Sequence, residues 1–219
     1  MQFDETTEIV LANRMFLYGL FARGFLAEPD HDFCALAESS ECMVYFTLID
    51  DGLSRQIAEA FEQWRALSSQ PLVTLVQEYN AVFVGPGPLK APAWETVCRS
   101  GKRTLFQKEL LAIRASYSEA GFEATARAKS PDDFIGTEFD FMTKLAIDGL
   151  KAFQEHDGER CTDRLKQSLD FLETHLLLWI GAYAKQVEDA YGKCFYGSFA
   201  KLSTLICEQD RRVVKQLLA

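Results

Sequence analysis

Three carboxylates lie close together in the sequence and are the first candidates for chemistry: Asp132, Asp133 and Glu138. Paired carboxylates can exchange protons with a substrate or hold a divalent cation. The same acids are also typical of a helix start, since Ser130 reads as an N-cap, Pro131 as the first turn, and Asp133 as the acid that closes a capping box. We favour the helix-start interpretation, because the positive end of the helix dipole attracts both aspartates.

A second candidate is the segment from Gly85 to Trp94, which contains three of the six prolines. Pro86, Pro88 and Pro92 fix φ and remove N–H donors, so the segment is stiff and cannot fold back into a helix. Trp94 ends it with a large amphipathic ring that is costly to expose. Two interpretations stay open: a rigid rim that holds the ring at the mouth of a groove, or a helix connection whose tryptophan fills the core.

Patterns typical of enzymes are missing from the sequence. The phosphate-loop pattern fails around Gly101-Lys102, since Thr96 replaces the upstream glycine and Arg103 follows the lysine. The six cysteines form no C-x-x-C pair, and the three histidines do not supplement them at zinc-site spacing. We interpret the cysteines as reduced thiols of a cytoplasmic protein. The residues therefore predict no catalytic site and no metal site.

The elements that must position these residues are helices. Apolar side chains recur with helical spacing in seven segments, which are Ile9–Ala22, Ile57–Trp64, Leu72–Phe83, Phe106–Tyr117, Ile135–Ala146, Leu172–Tyr183 and Phe195–Ile206. Only Cys42–Ile49 is strand-prone, and it has no hairpin partner. The sequence predicts an all-α protein with a single domain over residues 1–219. A candidate hinge near residues 121–130 would separate two helical halves, so a domain-swapped dimer is conceivable.

The composition narrows the class of partner. The chain has 23 Lys+Arg and 32 Asp+Glu, a formal net charge of −9. Such a chain, without a dense basic tract, is a poor ligand for nucleic acid and suits a cationic partner better. Apolar stretches such as Leu176–Ala184 are shorter than the roughly 20 residues of a membrane span, and the acidic start lacks the order of a secretory leader. We therefore expect a cytoplasmic protein without a membrane span.

Three segments together resemble a known family. Glu78–Val97 (EYNAVFVGPGPLKAPAWETV) is similar to the pattern E-[YW]-x-x-L-F-x-G-P…P-x-P-P-W-x-S-V-Y, and Pro131–Met142 (PDDFIGTEFDFM) to P-x-D-H-L-G-x-E-L-x-F-M. Phe171–Trp179 followed by Phe195–Leu202 resembles the carboxyl-terminal helices of the same family. By the order, separation and type of these motifs, the chain resembles the TorD/DmsD group of redox-enzyme maturation chaperones, relatives of NarJ, over about residues 70–206.

This resemblance implies a single globular helical bundle of about 8–11 helices that acts in the cytoplasm as a chaperone and not as an enzyme. Members bind the twin-arginine leader of a molybdenum-cofactor oxidoreductase and hold the apo-enzyme until cofactor insertion, which blocks premature export. The client carries the cofactor, so none is expected on this chain. Carried over by position, the peptide-binding residues are Tyr79, Val82, Phe83, Pro92, Trp94, Glu95, Pro131, Asp132, Asp133, Phe134 and Glu138.

The residue types at these positions suit such a leader, which is an arginine pair followed by an apolar segment. The aromatic rings offer surface for the apolar part. Asp133 is the main candidate for a charge-assisted bond to guanidinium, with the other three acids as helpers. The net charge of −9 would steer such a cation towards the protein.

The chain also departs from the family pattern. Phe134 stands where the family has histidine, Ala93 replaces the second proline of P-P-W, and Cys98 replaces the tyrosine. These departures bear on which client the chain serves. Two other functions stay open: a NarJ-like assembly chaperone for a membrane-anchored molybdoenzyme without an export leader, and a protein that weakly binds or hydrolyses GTP. The active form is a monomer or a domain-swapped dimer.

Overall fold

The computed structural model describes residues 5–39, 52–101, 108–122 and 131–219. These ranges contain ten α-helices. In chain order these are α1 (Glu5–Leu26), α2 (His31–Glu38), α3 (Gly52–Ser68), α4 (Leu72–Tyr79), α5 (Glu95–Ser100), α6 (Lys108–Glu119), α7 (Ile135–Gln154), α8 (Gly158–Thr174), α9 (Ile180–Tyr191) and α10 (Phe195–Leu218). No β-strand occurs in these ranges, so the all-α prediction is confirmed. The strand-prone run at 42–49 and most of the candidate hinge lie outside them.

The core of the bundle is aromatic and forms where α10 packs between α1 and α3. The ring of Phe199 lies 5.0 Å from that of Trp64 and 4.9 Å from that of Phe25, and all three side chains are fully buried. Gly24 allows this approach, since a Cβ at that position would overlap the rings of Phe199 and Phe33. The first and last helices therefore share one core, in which each large ring contributes about 2 kcal/mol or more by burial.

Helix α1 runs antiparallel to α7 and brings its carboxyl-terminal end to the start of that helix. Gln154 Nε2 donates to Glu8 Oε1 at 2.9 Å at one end of the pair. At the other end Gly136 lies so close to Leu26 that a Cβ on the glycine would overlap the leucine side chain. The end of α1 thus becomes a neighbour of the turn that precedes α7.

Helix α1 is also the one helix in the described ranges that is long and apolar enough to cross a membrane by length and composition. The apolar spacing over Ile9–Ala22 predicted a helix here, and the sequence analysis expected no membrane span. Half of its most apolar window is buried inside the protein, where Phe21 and Phe25 belong to the core. Core helices of soluble proteins pass the same test, so the finding assigns α1 no role in a membrane.

The predicted helix start at Ser130 is wrong. Helix α7 begins at Ile135, its N-cap is Phe134, and no side chain caps it. Asp133 closes no capping box, because its carboxylate is bonded to Thr96 and its backbone is paired with the proline-rich loop. Ser130 itself lies outside the described residues.

The predicted continuous helical stripe from Leu172 to Tyr183 is also interrupted. The chain leaves α8 at His175, makes a 3₁₀ turn over Leu176–Leu178, and enters α9 at Ile180. The apolar residues of the stripe are all buried nevertheless. The break therefore leaves the residues of the stripe buried and exposes only Leu178 within the turn, which is why apolar periodicity did not reveal it.

A buried ion pair joins α1 to α10. Arg14 Nε lies 2.7 Å from Asp210 Oδ1, its Nη2 donates to Oδ2 at 3.2 Å, and the Tyr18 hydroxyl donates to Oδ2 at 2.5 Å. Both charged side chains are buried. Each charge is tolerated in the interior only because the other is present.

We expect Arg14→Leu to lower the free energy of unfolding by about 3–5 kcal/mol, because it leaves the Asp210 carboxylate buried without its cation. Urea denaturation measures the change. Arg65→Ala removes the exposed partner of Glu62 and serves as the control, with an expected effect of at most about 1 kcal/mol. Equal effects of the two substitutions would show that the Arg14 pair does not stabilise the bundle.

Candidate functional site

The proline-rich loop and the turn before α7 pair through their backbones. Glu95 N donates to Asp133 O at 2.9 Å, and Ile135 N donates to Ala93 O at 3.0 Å. Trp94 and Phe134 consequently face each other in an isolated antiparallel bridge. Two segments that are separate candidates in the sequence therefore form one site.

Two glycines give this region its shape. Helix α4 continues as a π-helical turn over Asn80–Val84 and stops at Gly85, whose φ of +57° favours glycine. Gly136 sits at the first turn of α7, where a Cβ would overlap both Leu26 and the ring of Phe134. The first glycine releases the chain into the proline-rich loop, and the second lets α1 approach the turn.

Four apolar side chains lie at this junction, Leu26, Phe83, Trp94 and Phe134, which we call the aromatic corner. The ring of Phe83 meets that of Phe134 edge-on at 6.1 Å. Phe83 and Trp94 are half-buried and Leu26 is 38% exposed, whereas Phe134 is buried. Sequence reasoning missed Leu26, because it lies in α1, far from the motifs.

Asp133 caps a helix, but not the helix that the sequence predicted. Its Oδ2 accepts from the backbone N of Thr96 at 3.3 Å and from the Thr96 hydroxyl. These bonds satisfy the amino-terminal end of α5, whose own N-cap residue, Trp94, makes no side-chain cap bond. Burial raises the pKa of Asp133 despite these bonds. The carboxylate is thus already occupied and only 5% exposed.

Glu95 is fully buried beneath the corner and holds two groups. Its Oε1 lies 2.5 Å from Arg99 Nη1, and its Oε2 lies 3.0 Å from His175 Nδ1. His175 is itself buried. These bonds fix α5 against the end of α8.

Glu138 is fully buried close to Glu95, which is also fully buried. Its Oε2 accepts from Trp179 Nε1 at 3.1 Å, while Oε1 has no N–H or O–H donor within reach. Two neighbouring carboxylates in the interior repel each other if both are ionised. Burial, followed by the charge of Glu95, raises the pKa of Glu138 well above its usual range, so we assign the proton to Glu138.

The acids do not form a metal site. Asp132 pairs with Arg114, Asp133 with Thr96 and Glu138 with Trp179. In the part of the chain that the structure describes, no three His, Cys, Asp or Glu side chains are grouped as metal ligands. A cavity of about 360 Å³ lies between α9 and α10, and none of the predicted peptide-binding residues lines it.

The predicted peptide-binding residues fall into two sets. Those with side chains at least partly at the surface are Phe83, Trp94, Pro131 and Asp132. Those that are buried are Tyr79, Val82, Pro92, Glu95, Asp133, Phe134 and Glu138. In this conformation the buried residues pack beneath those at the surface and are not themselves accessible to a peptide. Sequence reasoning gave no role to Glu78, whose carboxylate accepts from the backbone N of Phe195 and Tyr196 and so caps α10.

Comparison with known proteins identifies the family of this chain. The family model described as nitrate reductase delta subunit matches residues 50–185. The chain belongs to this family. Its matched region contains the paired loop and turn, and it confirms the resemblance to TorD, DmsD and NarJ chaperones that the motifs indicated.

Relatives that match nearly the whole chain, and others that match part of it, are named as chaperones. The chaperone protein TorD of Vibrio cholerae (strain M66-2) is 29% identical over 217 residues, which is 96% of each chain. The Tat proofreading chaperone DmsD of Salmonella paratyphi A is 26% identical over 136 residues, 62% of this chain and 60% of that one. A crystal structure from Archaeoglobus fulgidus, described as a candidate redox enzyme maturation protein, covers 92% of this chain with 18% identity and a TM-score of 0.46.

We expect Glu138→Gln to make folding stability less dependent on pH. The folded pKa of Glu138 lies above its ordinary value of 4.5, so the stability that its proton contributes is fully present below that pH and falls as the pH rises. Glutamine cannot ionise, yet it can still accept the hydrogen bond from Trp179 Nε1. As the pH rises, the free energy of unfolding of the variant should therefore increase relative to that of the parent, by up to about 1.4 kcal/mol per pH unit.

Urea denaturation of the parent and the variant between about pH 5 and pH 8 measures this difference. Glu62→Gln, an exposed acid on α3, is the matched control and should show no such trend. A difference between parent and Glu138→Gln that stays constant with pH would rule out the buried proton.

Proposed function

We propose that this chain is a cytoplasmic, non-enzymatic chaperone that binds the twin-arginine signal peptide of a molybdenum-cofactor oxidoreductase and holds the apo-enzyme for cofactor insertion before export. The observation that carries the proposal is the backbone pairing that joins Trp94 to Phe134. It creates one surface with rings on one side and an acidic turn on the other. The chaperone names of the relatives support the same class of function.

The aromatic corner suits the apolar part of a leader peptide. Phe83, Phe134 and Trp94 are held by backbone pairing and by ring contacts, so little side-chain entropy is lost when a peptide covers them. The indole N–H of Trp94 lies inside the protein with no hydrogen-bond acceptor. If the indole turns outward on binding, a peptide carbonyl laid across the corner would supply one, in the manner of an extended segment in a groove.

The buried acids have a supporting role in this proposal. Glu95 and Glu138 form a floor that ties α5, α7 and the α8–α9 connection together. The corner above this floor is preorganised, which reduces the free energy needed to order it on binding. The net charge of −9 then speeds the approach of a cationic peptide at low ionic strength.

The description of the matched family favours a second candidate, an assembly chaperone of the NarJ type for a membrane-anchored molybdoenzyme that lacks an export leader. Affinity capture of the client from the native host separates the two candidates. An oxidoreductase that begins with an arginine pair supports the first, and one that lacks such a leader supports the second.

We expect Trp94→Ala to weaken binding of the client's leader peptide by about 1–3 kcal/mol, because it removes the largest accessible ring of the corner. Isothermal titration calorimetry with the synthetic leader measures the change, and thermal unfolding verifies that the variant is folded.

Ile147→Ala is the matched control, since Ile147 is an exposed apolar residue of α7 that lies about 18 Å along the helix from Ile135. It should bind like the parent. If Trp94→Ala is folded and also binds like the parent, the corner is not where the leader binds.

A further inference from the structure

The acids near the aromatic corner differ sharply in accessibility. Glu95 and Glu138 are fully buried, and Asp133 is 5% exposed with its carboxylate bonded to Thr96. Asp132 is 20% exposed. Among the predicted acids, it alone presents a carboxylate that an incoming cation reaches without a rearrangement of the bundle.

Asp132 already holds a guanidinium group. Nε of Arg114, from α6, donates to its Oδ2 at 2.5 Å, and Arg114 is 53% exposed. The turn does not depend on this pair for its position, because the buried Tyr117 hydroxyl donates to the backbone O of Asp132 at 2.8 Å. The carboxylate should therefore stay in place when Arg114 leaves.

The pair is built so that another arginine can replace Arg114. A single hydrogen bond through Nε joins the two side chains, whereas a free guanidinium can approach a carboxylate with two parallel N–H groups and bind it more strongly. Ion pairs at this level of exposure contribute little to stability. Displacement of Arg114 therefore costs little free energy, and the better hydrogen-bond geometry favours the incoming arginine.

We propose that Asp132 is the carboxylate that binds an arginine of the client peptide, and that Arg114 occupies this position in the peptide-free protein. The inference rests on the proposed function. Asp132 precedes Phe134 by two residues, so their Cα atoms lie within about 7 Å. A peptide whose arginine pairs with Asp132 can therefore place its next residues on the aromatic corner. The fork of arginine fits this geometry, and the point charge of lysine does not.

Two fluorescent synthetic peptides test the proposal with the full chain at low salt. One carries an Arg-Arg pair followed by about 10 apolar residues, and the other carries Lys-Lys in the same place. The parent should bind the arginine peptide more tightly. Asp132→Asn should weaken that binding about tenfold and abolish the preference over lysine. Arg114→Ala should strengthen it about two- to fivefold, since no competitor has to be displaced.

The double variant Arg114→Ala/Asp132→Asn should bind like Asp132→Asn, because removal of the competitor has no effect once the carboxylate is gone. Asp140 and Lys144 form a matched pair on α7, of comparable exposure. Asp140→Asn and Lys144→Ala change the charge in the same way and should leave the preference for arginine intact.

Parent-like affinity and arginine preference in Asp132→Asn would overturn the inference while leaving the proposed function in place. Weaker binding by Arg114→Ala would overturn it too, since Arg114 would then contribute to the peptide site instead of blocking it. Failure of the parent to bind either peptide would instead contradict the proposed function, and the inference with it.

Discussion

Two backbone hydrogen bonds, between Ala93 and Ile135 and between Glu95 and Asp133, hold the candidate site together. Elsewhere a helical bundle satisfies its backbone groups within each helix, and its elements meet through side chains. Here the proline-rich loop cannot become helical, and it offers its free carbonyl and N–H groups to the turn before α7 instead. The cap that Asp133 supplies to α5, the contact between the two buried glutamates, and the ring pair of the corner all follow from this pairing.

The buried carboxyl groups beneath the site avoid strong mutual repulsion. Two ionised carboxylates in contact in the interior would repel each other strongly, and a proton on Glu138 removes that repulsion. The Glu95 carboxylate is paired with the Arg99 guanidinium and lies within hydrogen-bond distance of His175 Nδ1. As a result three of the four predicted acids are buried, and only Asp132, at the rim, has a carboxylate that solvent reaches. A surface that binds a peptide with a cationic part and an apolar part needs both apolar rings shielded from water and a separate, accessible carboxylate.

The sequence predicted most of the helices but not the contacts between them. Apolar periodicity identified α3 and α10, because their buried faces recur every three or four residues. It could not reveal the break at His175, since the residues on both sides remain buried. The acid at Asp133 was predicted to cap the nearest helix, because capping rules are local, whereas its partner Thr96 lies 37 residues earlier. Leu26 and Arg114 join the site only through the packing of α1 and α6, and no local pattern encodes that.

The central claim is that a leader peptide contacts the aromatic corner, and the three tryptophans offer a direct measurement. Trp64 and Trp179 are fully buried, and Trp94 is half-buried at the corner. In a ¹H–¹⁵N spectrum of the labelled protein, with the indole signals assigned from Trp94→Phe, the account predicts that titration with the leader shifts the Trp94 signal most and leaves that of Trp64 in place. Saturated binding with an unchanged Trp94 signal would contradict it.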